Sequence, residues 1–346
     1  MRWNFLLRYD RFALVTTILI LLSLSSFVPM FMGSAGFSSS TSFAETTQAK
    51  KACPTVGVFG TIHPLDKPIP QGLAYDPINK NIYVADFGEN NVTEISSSTR
   101  QVVATIEVGS NPADVAYDSH NKLMWVTDYG SNEVTVLNAK TNEIVGTIEV
   151  GSSPSGLIFD PLLDSVYVAN YGANSLTEIN ATTLSIISVI SMPGAPLNLV
   201  YSPLDNAVYV TITSLSNVTV VQGTEIVGII GVQANPTGIA YNPSDKDIYV
   251  ATGSDSDVVL IKGDQTSGSY FASVEVGQEP LGVAYDPVNH CMYVANQGGN
   301  SVSLIKGEKS STPVTLTSPS YFVYDPSDKD MWVTSSYDNV TIITST

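Results

Sequence analysis

The chain has 346 residues, 43% of them apolar, and a formal net charge of −17 at neutral pH. This excess of acidic groups argues against nucleic acid and anionic membranes as partners, because both require basic patches. It favours a cationic partner, a bound divalent cation or simple solubility. The length allows two domains, and the apolar fraction is enough for a sizeable core.

The first 44 residues are predicted to direct export and not to belong to the fold. Three arginines precede an apolar run at residues 12–32, and a Ser/Thr-rich spacer extends to about residue 48. This pattern is typical of a secretory signal, cleaved after Ala35 or Ala44, or of an uncleaved anchor. In both cases the rest of the chain is exported, and we expect it outside the cell or at its surface. We divide the chain into residues 1–44, a spacer end at 45–54 and a folded domain at 55–346.

The stretch "NIYVADFGENNVTEI" that begins at Asn81 has six near copies further along the chain. An aromatic residue that closes the preceding run recurs at steps of 42, 42, 42, 40, 44 and 39 residues. These aromatic residues are Tyr75, Tyr117, Phe159, Tyr201, Tyr241, Tyr285 and Tyr324. A repeat of about 40 residues is typical of propellers and related arrays.

Each repeat contains four short runs rich in Val, Ile, Thr and Tyr, separated by turn residues, so each run predicts a strand. The sequence therefore predicts an all-β, seven-bladed β-propeller with four antiparallel strands per blade. The seventh repeat has room for only three strands before Thr346. The upstream "VFGTI" at 58–62 matches the fourth-strand "IVGTI" at 144–148. We expect this N-terminal segment to complete the last blade and close the ring.

The two cysteines, Cys53 and Cys291, leave two alternatives open. The predicted topology places both near the bottom rim of neighbouring blades, where a disulfide would fasten the closure. However, the spacing fixes no Cα separation short enough for a bond, which favours two separate thiols.

Many polar residues have a structural explanation in the turns between first and second strands. An Asp or Asn follows each closing aromatic residue except Tyr201. We expect this side chain to accept backbone N–H bonds, and in every case except Asp118 a turn proline follows it. Two acidic clusters near these turns, Asp245 with Asp247 and the group around Asp328, offer oxygens to calcium, but lysines lie within both. Four N-glycosylation sequons are present: Asn91, Asn180, Asn217 and Asn339.

The loops between second and third strands form the face where propellers usually bind ligands, here called the top face. Asp114 and Asn198 stand at the mouth end of first strands, where most other blades have glycine. These two side chains are candidate metal ligands. The complete set of candidate ligand-binding residues is Asp86, Asp114, Asp128, Tyr129, Asn170, Tyr171, Asn198 and Asn296. The alternative is that they cap loops and hydrogen-bond neighbouring blades.

The chain has only three histidines, and their positions bear on whether a histidine-based catalytic site is possible. His63 precedes the first blade on the top face, while His120 and His290 fall in bottom turns, so we expect no histidine pair or triad. No phosphate loop or Cys-x-x-Cys pair occurs, so nucleotide and redox cofactors are not predicted. A divalent cation is the one cofactor left open.

Seven tetrapeptides recur at the start of the hairpins: YVAD, WVTD, YVAN, YVTI, YVAT, YVAN and WVTS. They resemble the YVTN family of β-propeller repeat proteins, and the likeness extends over about 290 residues. That resemblance implies an exported or surface-associated microbial protein without one shared activity. Similar propellers include streptogramin lyases, gluconolactonase-like hydrolases and the heavy chain of methylamine dehydrogenase.

The sequence favours an exported, non-catalytic recognition or structural module that binds a protein, a glycan or a small ligand through its top loops. One alternative is a metal-dependent hydrolase or lyase with a cation in the top of the channel. Another is a surface-layer component that binds copies of itself. Cell-envelope components are the expected partners. Contact with a membrane is expected only through an uncleaved N-terminal segment.

Overall fold

A computed structural model describes residues 52–62, 69–311, 314–336 and 339–345. These residues belong to one compact unit that extends from Gln48 to Thr346. The predicted export segment and His63 lie outside the described residues. Within the described ranges, no helix is both long enough and apolar enough to cross a membrane.

The strands are numbered in chain order, beginning with β1 (Val56–Ile62). Blade 1 contains β2 (Pro70–Asp76), β3 (Asn81–Asp86), β4 (Asn91–Ser96) and β5 (Val102–Glu107). Blade 2 contains β6 (Pro112–Asp118), β7 (Leu123–Asp128), β8 (Glu133–Asn138) and β9 (Ile144–Glu149). Blade 3 contains β10 (Pro154–Asp160), β11 (Ser165–Asn170), β12 (Ser175–Asn180) and β13 (Ile186–Ser191).

Blade 4 contains β14 (Pro196–Ser202), β15 (Ala207–Ile212), β16 (Asn217–Gln222) and β17 (Glu225–Gly231), with a 3-10 turn at Thr213–Leu215. Blade 5 contains β18 (Pro236–Asn242), β19 (Asp247–Thr252), β20 (Asp257–Lys262) and β22 (Ala272–Glu275), with β21 (Ser267–Ser269) between the last two in the chain. Blade 6 contains β23 (Pro280–Asp286), β24 (Cys291–Asn296), β25 (Ser301–Lys306), β26 (Lys309–Ser310) and β27 (Val314–Thr315). Blade 7 contains β28 (Pro319–Asp325), β29 (Asp330–Ser335) and β30 (Asn339–Ser345).

The strands form seven separate sheets, one per blade, and every pairing except that of β21 is antiparallel, so the predicted seven-bladed propeller is confirmed. The first strand of each blade contacts the first strand of the next blade, and β28 contacts β2. The ring is therefore closed, and the first strands line its central channel. The last blade has the order β1-β30-β29-β28. The N-terminal strand completes it, as predicted, with Ile62 opposite Val340.

Cys53 and Cys291 are joined by a disulfide, with their Cα atoms 6.1 Å apart. The sequence spacing favoured separate thiols, and the structure differs because closure of the ring brings together residues 238 positions apart. Cys53 precedes β1 in blade 7, whereas Cys291 begins β24 in blade 6. The bond therefore attaches the closing strand to the neighbouring blade.

Blades 4 to 6 depart from four regular strands at their outer edge. The segment between β20 and β22 leaves blade 5, and its strand β21 pairs in parallel with β17 of blade 4. Gly228 permits this approach, because a Cβ there would lie 1.7 Å from the Thr266 carbonyl oxygen. The extra residues account for the longest step in the repeat. Blade 6 has only the short pieces β26 and β27 as its outer strand.

The aromatic residue of each tetrapeptide motif is buried between blades. These residues are Tyr83, Trp125, Tyr167, Tyr209, Tyr249, Tyr293 and Trp332, and none exceeds 1% exposure. Buried tyrosine hydroxyls need partners. The Tyr83 hydroxyl donates to Asn142 Oδ1 at 2.6 Å, in the next blade, and Tyr249 donates to Asp245 at 2.8 Å. The motif thus repeats because every blade buries one large ring against its neighbour.

The structural role predicted for the turn carboxylates is confirmed. Asp76, Asp118 and Asp286 each accept a backbone N–H from two residues further on at 2.8 Å. The nearby acidic clusters are also engaged, since Asp247 pairs with Lys262 and Asp330 pairs with Arg100.

Candidate functional site

Every first strand begins with a proline that pairs with the last residue of the second strand, after which the register shifts. This bulge places the second and third residues of the strand at the mouth of the channel. Third residues of adjacent blades meet there. For example, a Cβ on Gly72 would lie 2.0 Å from Asp114 Oδ1.

Four of the seven third positions are glycine and three carry a polar side chain. In blade order they are Gly72, Asp114, Gly156, Asn198, Gly238, Gly282 and Tyr321. The glycines make room for their neighbours. A Cβ on Gly156 would lie 2.7 Å from the Leu197 carbonyl oxygen, and one on Gly282 would lie 2.2 Å from that of Ser320. The channel mouth therefore has space for only a few side chains.

A threonine on the second strand accompanies each of these three polar side chains. The backbone N–H groups of Asp114, Asn198 and Tyr321 donate to Thr127, Thr211 and Thr334 at 3.0, 3.1 and 3.1 Å. Two of these hydroxyls also bind the next blade, since Thr127 donates to the Ser155 carbonyl at 2.6 Å and Thr211 to that of Thr237 at 3.0 Å. The four glycine blades have alanine at the same place: Ala85, Ala169, Ala251 and Ala295. The third letter of the tetrapeptide thus marks the blades that present a side chain to the mouth.

The three polar side chains line a single cavity of about 360 Å³, here called the channel-mouth cavity. Its complete lining is Ile69, Gln71, Phe87, Ala113, Asp114, Tyr129, Ser155, Gly156, Leu197, Asn198 and Tyr321. The size is suited to a small organic molecule.

Asp114 is half-buried in this cavity, and both of its carboxylate oxygens accept backbone hydrogen bonds. Oδ1 accepts from Val115 at 2.9 Å and Oδ2 from Leu157 at 3.2 Å. Burial nevertheless raises the pKa of Asp114 to about 7, because these bonds only partly offset the lost hydration. The carboxyl can therefore both gain and lose a proton near neutral pH.

Tyr321 and Asn198 surround this carboxyl. Burial, with a smaller contribution from the Asp114 charge, raises the pKa of Tyr321 to about 12, although a hydrogen bond with Asn198 acts in the opposite direction. The Asn198 amide also donates to the Thr237 carbonyl at 3.2 Å, which fixes its orientation. The phenol thus stays protonated at neutral pH and can donate a hydrogen bond.

Aromatic side chains stand on one side of the rim. The residue directly after the second strand is Phe87, Tyr129 and Tyr171 in blades 1 to 3, and Thr213, Gly253, Gln297 and Ser336 in blades 4 to 7. The rings of Phe87 and Tyr129 lie 5.7 Å apart and line the cavity. Tyr171 is 38% exposed and does not line it. The top face therefore has an aromatic half and a polar half.

Four of the predicted ligand-binding residues are buried inside their blades and are not open to a ligand. Asp86 and Asp128 accept hydrogen bonds from Thr93 and Thr135 of the third strand at 2.5 and 2.6 Å. Asn170 and Asn296 donate to Thr177 and Ser303 at 2.8 and 2.9 Å. All four side chains are fully buried. They fix the top of the second strand to the third, which agrees with the alternative structural role.

The dipeptide Val-Gly recurs shortly before several first strands, and the buried side chains at the top of the second strands explain its glycine. A Cβ on Gly109, Gly151 or Gly277 would lie 2.6 to 2.7 Å from the side chain of Asp128, Asn170 or Asn296 respectively. Only glycine leaves space for these buried groups.

Of the eight predicted residues, the structure brings Asp114, Tyr129 and Asn198 together at the channel mouth. Sequence reasoning missed Tyr321, Gln71 and Leu197. An alignment of the seven repeats at the third position of the first strand would have found Tyr321, because glycine is the usual residue there.

The described histidines lie away from this cavity. His120 contacts Phe159 and Asp164, and His290 bonds to Tyr285 at 2.7 Å. Among the described residues, no three His, Cys, Asp or Glu side chains come together to hold a metal ion. The proposed metal ligands Asp114 and Asn198 share the cavity, where both Asp114 oxygens accept backbone N–H groups and the Asn198 amide nitrogen donates to the Thr237 carbonyl.

The sequons differ in accessibility. Asn217 is 9% exposed, and its amide donates to the Leu215 carbonyl, so it is poorly placed to carry a glycan. Asn91, Asn180 and Asn339 are half-buried at strand ends.

Similar folds are found among enzymes. Hydrazine synthase of Kuenenia stuttgartiensis matches with a TM-score of 0.71 and 18% identity, over 83% of this chain and 98% of that one. A streptogramin B lyase matches with a TM-score of 0.72 and 14% identity, over 84% of this chain and 97% of that one. Virginiamycin B lyase of Staphylococcus aureus matches with a TM-score of 0.73 and 12% identity, over 84% of this chain and 99% of that one.

A catalytically inactive histidine-to-alanine variant of the Staphylococcus aureus lyase, with quinupristin, matches at a TM-score of 0.72 and 13% identity. At these identities the likeness establishes the fold alone. No family model matches the chain, and no curated protein sequence does. The resemblance to the YVTN family therefore stays a prediction.

Proposed function

We propose that the protein is an exported, non-catalytic recognition module that binds a small organic amine at the channel-mouth cavity. One observation carries this proposal: the glycines around the channel are interrupted by Asp114, Asn198 and Tyr321, which converge on one cavity. A concave site of this size with a small number of convergent polar groups is typical of small-molecule binding. Export is proposed from the N-terminal pattern of arginines and apolar residues.

The amine is favoured by the chemistry of the lining. Asp114 supplies a carboxyl group, and the described residues that line the cavity include no cationic side chain. Phe87, Tyr129 and Tyr321 supply aromatic rings, whose faces attract cations. The net charge of −17 also draws cations towards the protein. An ammonium group beside Asp114, with an apolar body against the rings, would satisfy all of these groups.

We expect phenethylamine to bind the purified protein with a Kd of about 0.1–1 mM, and 2-phenylethanol at least about tenfold more weakly. The two probes share a ring and differ in charge. Amine binding should tighten about tenfold from pH 6 to pH 8, because Asp114, whose pKa is about 7, must ionise before it can pair with the ammonium. Calorimetric titration at both pH values measures each effect.

Asp114→Asn should abolish both the preference for the amine and its pH dependence. Asp86→Asn is the matched control, since it removes an equivalent charge at a fully buried site outside the cavity. Equal binding of the two probes, or an amine preference that survives Asp114→Asn, would contradict the proposal.

A hydrolase or lyase is the second candidate function, because a carboxyl with a pKa of about 7 in a cavity suits general acid–base catalysis. A metal-dependent form needs more donors than Asp114 and Asn198 offer. We expect calcium, manganese and zinc, added after chelation, to show no stoichiometric binding that Asp114→Ala or Asn198→Ala removes. Tight calorimetric binding lost in either variant would instead favour the metal-dependent enzyme.

A further inference from the structure

The polar half of the top face contains two adjoining concavities, of about 640 and 400 Å³. Glu279 and Gln297 line both, so the two form one continuous depression across blades 5 to 7. We call it the polar trough and define it by Asn235, Ser254, Gln278, Glu279, Gln297 and Ser336. It shares no lining residue with the channel-mouth cavity.

The trough exists because the aromatic residue after the second strand is missing in these blades. Blade 5 has Gly253 where blades 1 to 3 have Phe87, Tyr129 and Tyr171. A Cβ on Gly253 would lie 2.9 Å from Asn235 Nδ2, a flexible side-chain atom. The space over blade 5 is therefore open only because no side chain occupies it.

Several polar side chains of the trough have no hydrogen-bond partner among the described residues. Within the described part of the chain, the side chains of Asn235, Gln278 and Glu279 make no hydrogen bond and lie at least partly exposed. Gln297 differs, because its Nε2 donates to Ser336 at 2.7 Å, which holds the amide in place and leaves its carbonyl oxygen as an acceptor. The trough thus offers both hydrogen-bond donors and acceptors, and the Gln297 amide among them is held in one orientation.

The lining also limits the class of ligand. No lysine or arginine occurs among its described residues, which disfavours phosphate, sulfate and carboxylate ligands. Among the described lining residues, Pro280 and Leu281 are the only large apolar ones, and they form no pocket of the kind that anchors a peptide. A single carboxylate, that of Glu279, is too few for a dedicated calcium site.

We propose that the polar trough binds a neutral carbohydrate. Sugar hydroxyls both donate and accept hydrogen bonds, and the amides, hydroxyls and single carboxylate of the trough match that capacity. A site that extends over three blades has room for more than one sugar ring. The inference is independent of amine binding at the channel mouth, because the two sites have no residue in common.

The test uses the full-length protein and four neutral probes: maltotetraose, cellotetraose, mannotetraose and chitotetraose. We expect at least one to bind, with a Kd of about 1 mM or below, by saturation-transfer NMR and calorimetry. Gly253→Tyr places in blade 5 the residue type that blades 2 and 3 carry, and should weaken binding at least about tenfold. Gln297→Ala should have an effect in the same direction.

Tyr171→Ser is the matched control, since it removes an exposed aromatic residue from the other half of the top face and should leave sugar binding unchanged. Gly253→Tyr should unfold at the same urea concentration as the native protein, which shows that the variant folds, and unchanged phenethylamine binding by this variant separates the site from the channel mouth. The inference is overturned if no probe binds at about 10 mM, well above the expected Kd. It is also overturned if Tyr171→Ser removes sugar binding and Gly253→Tyr does not. A third contradicting result is that calcium binds, no sugar probe binds, and Glu279→Gln abolishes the calcium binding.

Discussion

Cys53→Ser is expected to lower the free energy of unfolding by about 3–5 kcal/mol. The disulfide closes a segment of 238 residues, so its loss releases much chain entropy in the unfolded state. Cys53 also packs against the core cluster that contains Cys291, Met331 and Ile343. Urea denaturation under oxidising conditions measures the difference.

Two comparisons distinguish the loss of the disulfide from the other effects of replacing Cys53. Reduction of the native protein should produce a similar loss, whereas reductant should not destabilise Cys53→Ser further. If the variant and the oxidised native protein unfold at the same urea concentration, the pairing with β30 alone holds the ring closed and the prediction is wrong.

Asp86→Asn and Asp128→Asn are each expected to raise the free energy of unfolding at pH 8 by about 2–4 kcal/mol, on the scale of about 1.4 kcal/mol per pKa unit. Burial raises the pKa of both carboxyl groups to about 7 from an ordinary 3.8. The chain itself has asparagine at the matching places in blades 3 and 6, where Asn170 donates to Thr177 at 2.8 Å. An amide therefore fits the same place without an ionisation cost, and there it donates to the threonine hydroxyl where the carboxylate accepts from it.

The pH dependence fixes the sign of this effect. Because the folded protein holds these two protons more tightly than the unfolded chain, the two groups contribute most to stability below about pH 4, and this contribution is lost as the pH rises through about 7. The advantage of the asparagine variants should therefore be small at pH 4 and complete by pH 8. The reverse substitution, Asn296→Asp, should destabilise above pH 7. A gain that is equal at both pH values would exclude ionisation as the cause.

The fold could be predicted from the sequence because its signals are local and repeated. The alternation of apolar residues has the period of a strand, and the turn residues recur at fixed offsets. Even ring closure left such a signal, in the likeness of "VFGTI" to the fourth strands. What the sequence did not indicate was where the insertion of blade 5 goes, since β21 pairs with the edge of another blade.

The candidate site was only partly predictable. Asp114 and Asn198 were found because they interrupt a glycine position, and Tyr321 would follow from the same comparison. Asp86, Asp128, Asn170 and Asn296 were misassigned because a polar residue beside a loop has the same sequence signature whether it is exposed or buried. Their partners, such as Thr93 for Asp86, become evident only once the third strand is placed.

The sequence by itself therefore determined the strands, their number and their order, since these depend on periodicity and turn chemistry within about 40 residues. The tertiary structure decided which side chains meet. Asp114, Asn198 and Tyr321 belong to blades 2, 4 and 7, and Cys53 and Cys291 lie 238 residues apart. Such contacts depend on the bulge in each first strand and on closure of the ring. Both are set by packing between blades, which no local pattern records.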